Sequence, residues 1–442
     1  MGKIFQPAQV LALSFLAVML IGALLLSLPV STRTGSIPFI DALFTSTSAV
    51  CVTGLVVVDT SDYFTLFGQL VILTLIQLGG LGIMTFSSLL LLVAGGRVSV
   101  RDRILVEGGF QPFAPKDFRS LIRMVFSYTA AIELAGCLSL FLRFRKALPP
   151  LKALYAAVFH SISAFCNAGL SVFKGNLVSY RGDIAVNVTV MLLIILGGLG
   201  FFVLHEAARF FSGFREKKKR LSLHGKLALT VTLMLIFLSA GLIYWMEAGK
   251  SMASFSGKEK ILASFFQTVT ARTAGFNTMD LAALGANSVL LLIVLMFIGA
   301  SPGSTGGGVK TTTVGVIFAF MRSKILARNS ASLFRRTVPT DVIFRAYTLV
   351  SLAIGVVLLA AFILLLNQPE LSMQAAIFEV VSAFGTVGLS LGITEKLTVL
   401  SKAAIILTMY IGRVGPLTFL YAFSRRKPFG QFAYVEENVM VG

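Results

Sequence analysis

Four stretches of this chain of 442 residues share one pattern: residues 48–55 (SAVCVTGL), 163–170 (SAFCNAGL), 269–276 (VTARTAGF) and 382–389 (SAFGTVGL). Their side chains offer little acid, base or nucleophile, so the chemistry available is that of the backbone. A short segment closed by glycine can present its carbonyl oxygens in a row, because glycine accepts backbone angles that strain other residues. Four such rows around one axis replace the hydration shell of a cation with carbonyl oxygens. Aligned on Gly54, Gly169, Gly275 and Gly388, the copies lie 115, 106 and 113 residues apart. Phe44, Phe159, Phe265 and Phe378 each stand ten residues ahead of their glycine. The helix-compatible residues before each segment predict a short helix whose carboxyl end adds partial negative charge beside the ion.

Elements must position these segments, and the composition says where. The chain is 56% hydrophobic and 13% charged, with a mean hydropathy of +0.88, which excludes a soluble globule and indicates an integral membrane protein. Long apolar helices are expected before each segment, at about residues 7–29, 121–144, 223–245 and 342–366, and after each, at 64–92, 184–211, 288–321 and 397–424. Each reaches the ~20 residues a bilayer requires, and some are long enough to tilt or break. The fold class is therefore an all-α integral membrane protein: four parallel repeats of helix, pore helix, filter loop and helix, with eight spans around a central pore. The repeats are 1–95, 121–213, 222–322 and 340–424, followed by a tail at 425–442. The run at 10–30 reads as a retained first span rather than a signal peptide.

The net charge of +19 sorts by loop. Arg97, Arg101, Arg103, Lys116 and Arg119 form one basic group, and Arg215, Lys217, Lys218, Lys219, Arg220 and Lys226 a second. Arg322, Lys324, Arg328, Arg335 and Arg336 form a third, and Arg425, Arg426 and Lys427 lie in the tail. These place one side in the cytoplasm and, with an even number of spans, both termini there. The same sorting accounts for the basic charge without nucleic acid. Cys51, Cys137 and Cys166 are odd in number and read as small packing residues, not as a disulfide framework or a metal site.

A second glycine signature follows each segment by 24 to 28 residues: 79–82 (GGLG), 197–200 (GGLG), 299–303 (GASPG) and 412–416 (GRVGP). At ~1.5 Å per residue these glycines fall in mid-pore, below the segments. The third is expanded to GASPGSTGGGVKTTT at 299–313, which no helix traverses without interruption. Irregular backbone at membrane depth survives where it is buried in protein or lines a watery cavity, so a gate loop is expected here. Its likeness to a nucleotide-binding glycine loop fails, since Val309 separates the last glycine from Lys310 and no strand precedes it.

Arg413 sits among apolar residues, where an unpaired charge costs about 3 kcal/mol on insertion scales. It is expected to donate to carbonyls or hydroxyls of residues 303–308 and to hold that loop closed. Arg272 precedes the third segment, and Glu379 or Asp41 is expected to neutralise it. His160 shares the register of Glu379 and reads as a hydrogen-bonded packing residue.

The motifs DALFTSTSAVCVTGLVVVDT, HSISAFCNAGL, QTVTARTAGFN, FEVVSAFGTVGLS and IGRVGPLTF, together with the spacing over nearly the whole chain, resemble the Ktr/Trk/HKT superfamily of potassium transport proteins. The likeness is greatest to the membrane subunits of bacterial Ktr systems. It implies a potassium filter made by Val52, Thr53 and Gly54; Asn167, Ala168 and Gly169; Thr273, Ala274 and Gly275; and Thr386, Val387 and Gly388. It implies a gate made by Gly303, Ser304, Thr305, Gly306, Gly307, Gly308, Lys310 and Arg413, with Arg272 and Glu379 supporting the filter. It further implies a homodimer in the inner membrane, a cytosolic nucleotide-binding (KtrA-like) regulatory ring, K+ as the transported ion, Na+ as a stimulant, and no organic cofactor on this chain. Within this superfamily serine at the first filter glycine accompanies sodium permeation, so Gly54 favours potassium. The fuller TVGYG signature is absent from all four copies, and no acidic ring is expected at the mouth.

Two other classes compete. A cation-coupled secondary transporter also breaks helices at the midplane, but its repeats are usually inverted, whereas these are parallel. A membrane enzyme needs a converging catalytic cluster, which three histidines and few intramembrane acids do not supply. The tail at 432–442, with Glu436 and Glu437, and the basic loops are candidate docking surfaces for the cytosolic partner.

Overall fold

The computed structural model describes residues 7–93, 118–212, 221–328 and 330–423. Within them the chain runs four times through the same order: a long helix, a short helix, an extended segment and a further helix. The long helices are Pro7–Leu26, Phe118–Phe144, Leu223–Glu247 and Thr340–Asn367. The short ones are Phe39–Val50, Pro150–Phe165, Gly257–Thr270 and Met373–Gly385. Leu66–Val93 follows the first segment, Ile184–Leu199 with Phe201–Ser212 the second, Ala286–Phe297 and Thr311–Ile325 the third, and Val399–Val414 with Pro416–Phe423 the fourth. The architecture is all-α, with one two-residue strand pair among the described residues, Ser332–Leu333 against Arg336–Thr337.

Among the described residues four helices are long and apolar enough to cross a membrane, or six if each bent pair counts as one span. The helix Leu66–Val93 is 28 residues long, while Ala286–Phe297 is a shorter apolar helix that the loop 298–310 separates from Thr311–Ile325. The chain is nonetheless a multi-pass membrane protein. Its long helices expose leucines and phenylalanines such as Leu24, Leu134, Phe237 and Leu358 on the outside, as a surface solvated by lipid requires.

Lipid tails are as apolar as these helices, so association rests on close approach and on polar contacts between helices. The first two copies share one such device. Ser46 donates to the carbonyl of Met19 at 2.7 Å, and Ser161 donates to that of Glu133 at 2.6 Å. Each serine lies eight residues before its segment glycine, and each faces a glycine of the long helix. A side chain at Gly22 would meet Ser46 Oγ at 2.3 Å, and one at Gly136 would meet Ser161 Oγ at 2.7 Å.

The further helices were expected to tilt or break, and three of them break. Ile184–Leu199 turns by 103° into the next helix, and Val399–Val414 by 98°. Both turns occur at a glycine of positive φ, Gly200 at 89° and Gly415 at 92°; Pro416 then starts the new helix, where its missing N–H costs nothing. In the third copy residues 298–310 separate the two helices.

Of the basic residues expected on the cytoplasmic side, Arg97, Arg101, Arg103, Lys116, Arg215, Lys217, Lys218, Lys219, Arg220, Arg425, Arg426 and Lys427 lie outside the described residues, as does the tail with Glu436 and Glu437.

Candidate functional site

The four segments close into a ring. A side chain built on Gly54 would lie 2.5 Å from the carbonyl oxygen of Ala168, and one on Gly169 would lie 2.4 Å from that of Ala274. One on Gly275 would lie 2.4 Å from the oxygen of Val387, and one on Gly388 would lie 2.1 Å from that of Thr53. Each glycine thus makes room for the carbonyl that precedes the next glycine, and the circuit returns to its start. No residue with a Cβ fits at these four positions without displacing backbone.

The backbone repeats with the same fidelity. Val52, Asn167, Thr273 and Thr386 have φ of 56°, 61°, 73° and 51°, and the glycines two residues later have φ of 94°, 67°, 78° and 90°. Left-handed backbone is costly for β-branched residues such as Val52, Thr273 and Thr386, and it persists only where the surroundings over-determine it. Alternating hands along a segment turn successive carbonyls toward the same side, which a ring of oxygen ligands needs.

Hydroxyls of the short helices supply the over-determination. Ser48 Oγ accepts from Gly54 N at 3.0 Å and donates to Leu55 O at 2.8 Å. Ser163 donates to Leu170 O at 2.8 Å, and Ser382 accepts from Gly388 N at 3.0 Å. The third copy has Val269 at this register, and Thr270, one residue later, donates to Phe276 O at 2.6 Å. The sequence shows these serines, but only as small residues; their anchoring role was missed.

Beneath the ring lies the loop 298–310, buried along most of its length. A parallel bridge between Ile298 and Val309 pinches its ends, with Gly299 N donating to Val309 O at 2.8 Å. The loop reaches other copies through its middle. Ser301 N donates to Gly198 O at 2.9 Å, Thr305 N to Gly197 O at 3.2 Å, and Phe201 N to Gly303 O at 3.0 Å. Gly307 N donates to Thr386 Oγ1 at 3.0 Å, and a side chain at Gly306 would meet Thr273 Oγ1 at 2.1 Å. Lys310 Nζ folds back onto Gly306 O at 2.6 Å.

Arg413 is buried and donates from Nη1 to Thr305 O in the loop and from Nη2 to Gly79 O in the first copy. The expected contact to residues 303–308 is present, through one carbonyl, and a second tie to the first copy accompanies it. His160 also stands as expected: Nδ1 lies 2.7 Å from Ala156 O and Nε2 lies 2.8 Å from Ser171 Oγ. The three cysteines are free thiols, two of them buried.

The expected neutralisation of Arg272 by Glu379 or Asp41 is corrected by the structure. Arg272 Nη2 donates to Thr232 Oγ1 at 3.1 Å, a hydroxyl on its own copy's long helix. Arg272 stands three residues before its glycine, at the register of Cys51 and Cys166. Cys51 faces Met19, so this register in the first and third copies points outward to the long helix. Glu379 is spent on Ser390 at 2.7 Å and on Thr394, and Asp41 pairs with Lys402.

The second glycines lie at the level of the loop, which bonds to Gly197 O and Gly198 O. Side chains at Gly79, Gly197 and Gly412 would each lie 1.9 Å from a carbonyl at a short helix's carboxyl end, those of Val50, Phe165 and Phe384. They are contact points between helices. In the third copy Gly299 instead faces its own loop, 2.3 Å from Gly307 O. Elsewhere Asp59, Asp62 and Glu395 line one pocket with Thr34 and Tyr63, where Asp59 caps the helix Thr60–Tyr63 and Asp62 pairs with Lys174.

With this geometry in place, three comparisons bear on it. The family model for TrkH, a cation transport protein, matches residues 5–433. The chain is 39% identical over 440 residues to the Ktr system potassium uptake protein B of Bacillus subtilis, covering 99% of this chain and 97% of that one. It is 34% identical to the potassium/sodium uptake protein NtpJ of Enterococcus hirae, covering 100% and 98%. The crystal structure of the potassium transporter TrkH from Vibrio parahaemolyticus superposes with a TM-score of 0.76 at 20% identity, covering 96% of this chain and 85% of that one, a likeness of fold.

Proposed function

The chain belongs to the TrkH family of cation transport proteins, and from that premise we propose that it carries potassium across the inner membrane. Its path runs through the ring of the four segments and past the loop 298–310. The closed circuit of glycines and carbonyls carries this reading. A cation entering the ring exchanges water for the oxygens of residues 52–54, 167–169, 273–275 and 386–388, and the carboxyl ends of four short helices favour it there. Glu379 and Arg272 support the ring from behind.

The loop is the gate. It lies under the ring, and Arg413 fastens it to the first copy while placing a positive charge below the ions. Opening separates Arg413 from Thr305 and moves residues 303–308 and Lys310 aside. Four parallel repeats, 1–95, 121–213, 222–322 and 340–424, form eight spans with both termini and the tail 425–442 in the cytoplasm. A homodimer of this chain docks a cytosolic ring of nucleotide-binding subunits that moves the gate, and sodium stimulates uptake. The helix breaks at Gly200 and Gly415 and in 298–310 also favour a second reading, a cation-coupled transporter with a midplane site.

Rubidium flux into proteoliposomes separates the two. The wild type is compared with Gly54→Ser, Gly275→Ser and a deletion within 304–308. Potassium-selective flux that loses selectivity in the serine variants and rises in the deletion is the expected result. Flux unchanged in all three rejects the pore and moves the coupled transporter to first place.

A further inference from the structure

The anchoring of the ring has two tiers, and they differ in symmetry. The inner tier, the hydroxyls of Ser48, Ser163, Thr270 and Ser382, serves all four segments. An outer tier serves two. Nine residues before the glycine stand Thr45, His160, Phe266 and Glu379, and two residues after it stand Val56, Ser171, Asn277 and Ser390. Only in the second and fourth copies do these positions hold a polar pair that meets: His160 with Ser171 at 2.8 Å and Ser390 with Glu379 at 2.7 Å.

The two pairs are built alike although one acceptor is neutral and the other acidic. Ser171 Oγ accepts from Phe173 N at 3.0 Å, and Ser390 Oγ accepts from Gly392 N at 3.0 Å. Each serine can then turn its proton to the short helix; for Ser171 the competing acceptor, Phe173 O, is farther away at 3.4 Å. In the second copy Ala156 O can only accept, so it fixes the proton of His160 on Nδ1, leaving Nε2 to receive Ser171. In the fourth copy the carboxylate of Glu379 receives Ser390, and Thr394 as well. His160 and Glu379 are fully buried. Thr45, at the same register in the first copy, spends its hydroxyl on Asp41 O in its own helix at 2.8 Å, and Phe266 has none to spend.

Because the ring follows chain order, the second and fourth segments face each other across its axis. We propose that His160 and Glu379 are positioning residues that fix the outer ends of these two opposed segments through Ser171 and Ser390, and that this pair of struts holds the ring at the width that discriminates potassium from sodium. The inference rests on the pore reading. The shared element is an acceptor for a serine proton, so the charge of Glu379 is not what it needs.

The test is rubidium uptake into proteoliposomes holding the full chain, with sodium as competitor. Ser390→Ala, Glu379→Ala, their double variant, Glu379→Gln and Thr45→Ala are compared with wild type. Ser390→Ala and Glu379→Ala each lower discrimination against sodium by about fivefold, the weight of one hydrogen bond. The double variant is no worse than Glu379→Ala, because that variant already removes the contact that Ser390→Ala removes. Glu379→Gln, which keeps a polar contact to Ser390, stays within about threefold of wild type, and Thr45→Ala is unchanged. Ser390→Ala deletes one oxygen from a half-buried site, so it reports even where Glu379→Ala does not fold. Full discrimination in Ser390→Ala, additive losses in the double variant, or a Glu379→Gln as poor as Glu379→Ala overturns the strut. Absence of rubidium flux even when the loop is shortened within 304–308 overturns the pore reading itself, and the strut with it.

Discussion

The ring and the loop beneath it are made by the same four copies yet obey different rules. In the ring the backbone recurs: four left-handed pairs, four glycines each facing the next carbonyl. In the layer beneath a single loop stands alone, and from the third copy it reaches the second through Gly197 and the fourth through Thr386. Repetition suits a site that surrounds a spherical ion, where each copy contributes equivalent oxygens. A barrier needs only one position, so the remaining copies are free to become its partners. Under the proposed pore, selection and obstruction fall to separate layers, and a change in one need not alter the other.

The largest test of that separation is the joint between the layers. Gly79→Ala places a methyl group 1.9 Å from Val50 O, where backbone must move; folded protein recovered in detergent falls severalfold, whereas Gly82→Ala, 3.7 Å from the Phe15 ring, leaves recovery unchanged. Next comes Arg413→Ala, which frees Thr305 O and Gly79 O together. Rubidium flux rises about tenfold, as loss of a buried charged hydrogen bond of ~1.5 kcal/mol implies, while the ratio of potassium to sodium is kept. A changed ratio there would join the two layers. Thr386→Val removes the hydroxyl that receives Gly307 N and raises flux about threefold, in line with one neutral hydrogen bond. The smallest effect belongs to Lys402→Gln, which opens the pair with Asp41 between the first and fourth copies; partly exposed pairs contribute about 1 kcal/mol or less, so thermal stability in detergent drops by a few degrees with flux intact.

What the sequence discloses follows the same division. The ring was legible because its order is local: glycines at a fixed register survive as a pattern along the chain. His160 was readable as a packing residue for the same reason, and Arg413 because a charge within an apolar helix demands partners and one polar loop lay at matching depth. The partner of Arg272 was not readable. Its register aims it at Thr232, forty residues upstream on the long helix, while the carboxylates that pattern offered were already bound by Ser390, Thr394 and Lys402. The second glycines were legible only in part, for a related reason. Spacing gave their depth, but only packing reveals that Gly79, Gly197 and Gly412 admit a carbonyl of a neighbouring helix. The sharp turn at Gly200 depends on what presses from outside the helix, such as Pro302 O, which would stand 2.5 Å from a side chain there.

The loop 298–310 bears on why all four copies share one polypeptide. It fills the space under the ring while touching Gly197 of the second copy, Thr386 of the fourth and, through Arg413, Gly79 of the first. An assembly of four identical subunits would have to carry four such loops, and they would contend for a place that holds one. Covalent fusion removes that conflict: the first, second and fourth copies can lack the insertion while the third keeps it. One polypeptide thereby lets a single, unrepeated loop occupy the axis that four repeated segments share.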